Sequence, residues 1–101
     1  MYNILLICSA GMSTSLLVTK IEKEAEARGI EAHVWAVSDA QAINNVDQAD
    51  VVLLGPQVRF LRKKVEGMCP GKPVDVIDMR SYGMMDGAAA LDQALKLLGQ
   101  A

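Results

Sequence analysis

Aromatic side chains are scarce in this chain, with one Trp, two Tyr and one Phe among 101 residues. A core must therefore be assembled from Val, Ile, Leu, Ala and Met, a set suited to helices packed on a sheet. Cysteine is equally sparse. Cys8 and Cys69 lie far apart without C-x-x-C spacing, and His33 is the single histidine, so neither a zinc site nor a disulfide framework is expected. Ten basic residues face twelve acidic ones for a formal net charge of −2, which excludes a global pull toward nucleic acid or an anionic membrane. No apolar run approaches the roughly 20 residues that span a bilayer, and no basic stretch of signal-peptide type precedes the first apolar segment. The chain reads as cytoplasmic, not inserted in a membrane. Internal repeats, low-complexity tracts and Ser/Pro-rich linkers are also missing, and the length suits one domain spanning residues 1–101.

What is present alternates. Residues 3–7 form a near-continuous apolar run of the kind buried on both faces of a parallel sheet. Ser13 or Thr14 can cap a helix reaching Arg28, with Leu17, Ile21 and Ala25 at i, i+4, i+8, a Glu24/Arg28 pair, and Gly29 as its stop. Residues 32–37 predict a second strand, Ser38 or Asp39 opens a short helix through Ala42 and Ile43, and residues 49–54 predict a third strand. Val58, Leu61 and Val65 predict an amphipathic helix over 57–67, followed by a strand at 73–77. After Asp86 comes a last helix, striped by Leu91, Leu95 and Leu98 and ended by Gly99. The order βαβαβαβα implies one α/β domain: a doubly wound, four-stranded parallel sheet with right-handed crossovers and helices on both faces.

Such sheets bind ligands beyond the carboxyl ends of their strands, which selects the segments at 8–13, 38–39, 55–57 and 78–86. The first, within "CSAGMSTS", is the most informative. A thiol stands at the end of a strand, just before the unsatisfied N–H groups of a helix start, a ready anion site. Ala10 and Gly11 allow close backbone approach; Ser9, Ser13, Thr14 and Ser15 offer hydroxyl donors. Donor-rich helix starts stabilise thiolates, the attacking form of cysteine. A cysteine after a buried strand is often only a small hydrophobe, and Cys69 in "GMCPGKP", which has no such donors, is read that way. For Cys8 the neighbouring loop reverses the judgement.

Three blocks, "CSAGMSTSLLV", "ADVVLLGPQV" and "KPVDVIDMRSYGMMDG", resemble the enzyme IIB component of the lactose/cellobiose family of the bacterial sugar phosphotransferase system, in the right order over nearly the whole length. The resemblance implies that Cys8 carries a phosphoryl group received from a phosphohistidine on IIA and passed to a sugar, such as a β-linked disaccharide, bound by the membrane component IIC. The backbone N–H groups of residues 9–15, Met12 among them, and the dipole of the first long helix are expected to hold the phosphoryl oxygens. No nucleotide or other cofactor is expected, because the loop lacks the spacing and lysine of a Walker A motif.

Two other readings compete. Low-molecular-weight tyrosine phosphatases share this kind of fold and use C-x-x-x-x-x-R-[ST], but Thr14 occupies the arginine position and an Asp-Pro acid loop is missing, since Asp78 precedes Met79. A flavodoxin-like FMN module would want aromatic rings at the rim, where Tyr82 alone is expected, Trp35 lying inside a strand. Pro56 and Gln57, with Gly55, are expected to shape the turn after the third strand; Asp78 and Tyr82 to orient the phosphate loop, meet a partner or serve as turn residues. His33 is expected to be a structural or half-exposed strand residue. Met12, Met79, Met84 and Met85 gather at the same edge and suit a surface that must meet two dissimilar partners. Arg59, Arg62, Lys63, Lys64 and Lys72 cluster on and just beyond one helix as a candidate patch for steering an acidic partner.

Overall fold

The computed structural model describes residues 1–9 and 14–99. Four parallel strands, β1 (Tyr2–Cys8), β2 (Ala32–Ser38), β3 (Val51–Leu54) and β4 (Val74–Val76), form one sheet in the order β2-β1-β3-β4. The helices are α1 (Thr14–Ala27), α2 (Arg62–Met68), α3 (Met79–Gly83) and α4 (Gly87–Leu97); three 3-10 segments run over Asp39–Asn44, Val46–Gln48 and Pro56–Leu61.

Period-two alternation explains the two cores. Ile4 and Leu6 of β1 and Val51 and Leu53 of β3 face α1 and α4, meeting Leu17, Ile21, Ala25, Leu91 and Ala94. Leu5, Ile7, Val52 and Leu54 face the other way, onto Ala42, Val46, Val58 and Val65. Residues 4–7 are at most 1% exposed, as both faces of a parallel sheet require, and each such side chain contributes about 1.5–3 kcal/mol on burial. The expected fold class stands, with helical elements on both faces.

Several local differences have clear causes. The stretch expected as one helix over 57–67 divides: Pro56 opens a 3-10 segment, Val58 leaves helical backbone geometry (φ −116°, ψ 23°), and the α-helix starts only at Arg62. Ala49 and Asp50 stay outside β3 because the Asp50 carboxylate, at 2.7 Å from the Asn3 N–H and 3.1 Å from its Nδ2, substitutes for a ladder partner. The segment 78–86, expected as a loop, contains α3. The α1 stop is as expected: Gly29 (φ 70°) follows the helix while Ile30 N–H reaches back to the Ala25 carbonyl at 2.9 Å. Arg28 joins Glu24 at 2.7 Å and crosses to Asp92 of α4 at 2.5 Å. Leu98 is only half-buried, and Ala90 and Ala94 complete the inward face of α4 instead.

Candidate functional site

Cys8 ends β1, the strand flanked by β2 on one side and β3 on the other. The chain leaves β1 toward β2 and later returns to lay β3 on β1's opposite side, so the crevice at the β1 and β3 carboxyl ends is the switch point where open α/β sheets bind ligands. The Cys8 side chain is 6% exposed, and its Sγ lies 3.6 Å from the Val37 carbonyl oxygen of β2. Two residues on the same strand face, Ile4 and Leu6, belong to the α1/α4 core, so Cys8 belongs to that face as well. Beyond it, α1 begins at Thr14, and the first N–H groups of a helix have no acceptor inside the helix. Ser9 is half-buried just past β1, and Ser15 is exposed in the first turn of α1, its carbonyl accepting from the Thr19 hydroxyl at 3.1 Å. Ala10, Gly11, Met12 and Ser13 lie outside the described residues.

The β3 end supplies the other wall. Pairing of Leu6 with Leu53 and Ile7 with Leu54 brings Gly55 alongside Cys8 at the next step, and the Gly55 N–H donates to the Ile7 carbonyl at 2.9 Å. A side chain at Gly55 would meet Gln57 Oε1 at 2.8 Å and the Tyr82 ring at 3.5 Å. Glycine there leaves room for Tyr82 to lie over the β3 end, on the face that Cys8 shares. From the sequence Gly55 reads only as a turn former; its place one residue past a fully buried strand is the available signal.

Tyr82 is 93% buried, in α3, packed with the α1/α4 core. This corrects its expected loop position, and a ring so enclosed offers no open platform for a flavin. Among the described residues its hydroxyl is the buried side-chain polar atom without a hydrogen-bond partner. Asp78 is exposed and caps α3, accepting from the Ser81 N–H at 3.2 Å. Pro56 is buried and Gln57 exposed. Together with Arg59, Met79, Tyr82 and Gly83 they line an apolar hollow of about 280 Å³. Met79 and Met84 project into solvent, at 65% and 66% exposure. Met85 is half-buried with φ 53° in the position that follows a helix stop, where glycine is usual: its N–H bonds the Tyr82 carbonyl at 3.1 Å and that of Asp86 bonds Ser81 at 2.9 Å.

Residues outside the crevice fall into place. Cys69 is buried, its Sγ 3.2 Å from the Val65 carbonyl, and burial pushes its thiol titration up. His33 is exposed on β2 and stacks on Trp35 at 4.8 Å. Lys72 leaves the basic patch, because its ammonium is held by the carbonyls of Val46 and Asp47 at 3.0 and 2.8 Å, and Arg62 lies 3.5 Å from Asp75. Among the described residues no helix is long and apolar enough to cross a membrane.

The fold and sequence are shared with known proteins. The family model for the "PTS system, Lactose/Cellobiose specific IIB subunit" matches residues 3–93. The chain is 48% identical over 100 residues to the oligo-beta-mannoside-specific EIIB component of Bacillus subtilis (strain 168), with 97% of each chain covered. It is 43% identical over 102 residues to the cellobiose-specific EIIB component of Lactococcus lactis subsp. lactis (strain IL1403), with 94% of each covered. The solution structure of a cellobiose-specific IIB protein from Borrelia burgdorferi superposes with a TM-score of 0.78 at 43% identity, over 95% of this chain and 90% of that one. A lactose-specific IIB domain from Streptococcus pneumoniae, at 16% identity, shares the fold alone, with a TM-score of 0.84 over 94% and 95% of the two chains. The chain belongs to the lactose/cellobiose-specific IIB family of the sugar phosphotransferase system, a phosphotransferase component that works with IIA and IIC partners in sugar uptake.

Proposed function

We propose that Cys8 is the covalent carrier in this transfer, taking a phosphoryl group from a phosphohistidine of IIA and giving it to a sugar bound by IIC on the cytoplasmic side of the membrane. The observation that carries the reading is the position of Cys8: a nucleophile at the carboxyl end of an interior strand, at the switch point of the sheet, with a helix starting six residues later at Thr14. In the first step the thiolate sulfur attacks phosphorus; the P–S bond forms as the P–N bond breaks, and the histidine nitrogen keeps the electron pair. In the second a sugar hydroxyl oxygen attacks the same phosphorus and gives up its proton, the P–O bond forms, and the thiolate leaves. Dividing one transfer between two partners into two shorter displacements is the advantage of covalent catalysis.

Phosphoryl transfer depends chiefly on positioning and charge stabilisation. In this reading the N–H groups of residues 9–15 and the dipole of α1 supply both. Thr14 stands where a phosphatase loop of this spacing carries arginine. Omitting that bidentate fork suits a carrier, which must hold its phosphoryl group away from water. Met79 and Met84, with Met85 behind them, and the exposed Gln57 form the rim that meets IIA and IIC. Relatives at 43–48% identity are described by different sugars, oligo-beta-mannoside, galactose and cellobiose. That spread supports leaving the choice of sugar to IIC, with a β-linked disaccharide as the substrate class here.

Intact mass after incubation with phosphoenolpyruvate, the general phosphotransferase proteins and a matching IIA tests the reading. Wild type is expected to gain one phosphoryl group, with a thiophosphate signal in phosphorus NMR, and Cys8→Ser to gain none. Equal labelling of the two, or labelling elsewhere, would overturn it.

A further inference from the structure

A buried hydroxyl with nothing to bond is costly, because it has lost water and gained no replacement. Among the described residues Tyr82 carries one, in a side chain only 7% exposed. Its location is specific. The ring edge lies 3.5 Å from where a Gly55 side chain would begin, Gly55 stands beside Cys8 in the β1–β3 register, and neighbouring strands are only about 4.8 Å apart. The Tyr82 ring packs with Ile4 and Leu6, and strand alternation assigns Cys8 to that same face of the sheet, at its carboxyl end. Two independent observations thus converge on one point: the strand end that presents the thiol, and an unsatisfied donor enclosed next to it.

We propose that the Tyr82 hydroxyl is kept unpartnered for the phosphoryl group, donating a hydrogen bond to a phosphoryl oxygen on Cys8 once the thiophosphate has formed. This rests on Cys8 being the carrier. Tyr82 then acts as a sensor of the loaded state: idle in the resting protein, bonded in the phosphorylated one. Since hydrogen bonds to charged acceptors are the strong ones, the hydroxyl favours the loaded carrier and draws the phosphoryl equilibrium away from IIA. An unpartnered donor has a second consequence, because its removal costs the resting protein nothing.

Tyr82→Phe tests the idea, since it keeps the ring on Gly55 and removes one oxygen. Unphosphorylated, the variant is expected to unfold at the same temperature as wild type or higher. Mixed with phosphorylated IIA, it is expected to hold the phosphoryl group about ten-fold less well at equilibrium, read by intact mass of both proteins. In wild type labelled with 13C-tyrosine, phosphorylation is expected to shift the Tyr82 Cζ resonance and leave that of Tyr2, at the opposite end of β1, in place. A resting Tyr82→Phe protein less stable than wild type would show that the hydroxyl already has a partner, such as a buried water, and overturn the proposal. Unchanged partition, or a Tyr82 resonance unmoved by phosphorylation, would do the same. Wild type that takes up no phosphoryl group removes the carrier reading together with this one, whereas a labelled wild type matched by the variant removes this one alone.

Discussion

Two glycines act here through the atoms that occupy the space a side chain would need. At Gly87, which opens α4, a Cβ would lie 2.5 Å from the carbonyl carbon and oxygen of Lys20 and 2.8 Å from the Ile21 nitrogen. Those are backbone atoms of α1 and cannot turn aside, so the two helices touch at this point because neither carries a side chain into the gap. Gly87→Ala is expected to lower stability by about 1–3 kcal/mol in urea unfolding, the usual cost of overpacking. At Gly55 the close neighbour is the end of the Gln57 side chain, which can rotate away, while Tyr82 stays at ordinary contact distance. Gly55→Ala is therefore expected to fold within about 1 kcal/mol of wild type. An equal loss at both positions would show that the crowding at Gly55 is as rigid as that at Gly87.

At the scale of elements, caps decide what the apolar pattern leaves open. Asp86 accepts from the Ala89 N–H at 3.0 Å and begins α4, whose inner face of Ala90, Leu91, Ala94 and Leu95 closes one core. Asp86→Ala is expected to cost about 1 kcal/mol. Asp78→Ala, at an exposed cap of the five-residue α3, should cost less, and thermal unfolding of the pair checks the order. Long periodic elements were legible from sequence for a physical reason. Leu17, Ile21 and Ala25 repeat over enough turns to define a face, and residues 4–7 are apolar because both faces of β1 are covered. The cysteine and the helix start after it could be placed for the same reason. α3 was not legible: in "MRSYG" Tyr82 is the one buried residue, and a single anchor has no period. The divided helix was hidden because Val58 to Leu61 is a spacing of three, natural to a 3-10 turn, and Leu61 to Val65 a spacing of four, natural to an α-helix. Nor could the sequence reveal that the Tyr82 hydroxyl has no partner among the described residues, because a missing bond is a property of three dimensions.

For the whole molecule, the basic cluster separates into structural and available charge. Lys72 ties down the carbonyls that end a 3-10 segment, and Arg62 pairs with Glu66 and Asp75 at 3.8 and 3.5 Å; Arg59, Lys63 and Lys64 form no ion pair among the described residues. Charge reversal at Lys63 and Lys64 is expected to flatten the salt dependence of transfer from IIA without altering the unfolding midpoint. Lys72→Ala is expected to lower the midpoint and leave the salt dependence alone. If Met84 belongs to the proposed rim, Met84→Ser is expected to slow transfer at every ionic strength, because salt does not screen an apolar contact. An unaltered salt profile in the Lys63/Lys64 variant would exclude that face from steering.

The position of β1 in the sheet also sets an order of events at birth. β1 needs β3 to cover its second edge, and the contact between Asn3 and Asp50 that locks the two strands joins residues 47 apart in sequence. Parallel pairing over such a separation is slow to form. On a ribosome the apolar run ending in Cys8 is therefore made before β3 and sheltered only after it, so its strand edge is open to misassociation until β3 has emerged. The interior placement that encloses Cys8 in the finished protein leaves the same apolar run uncovered in the nascent one.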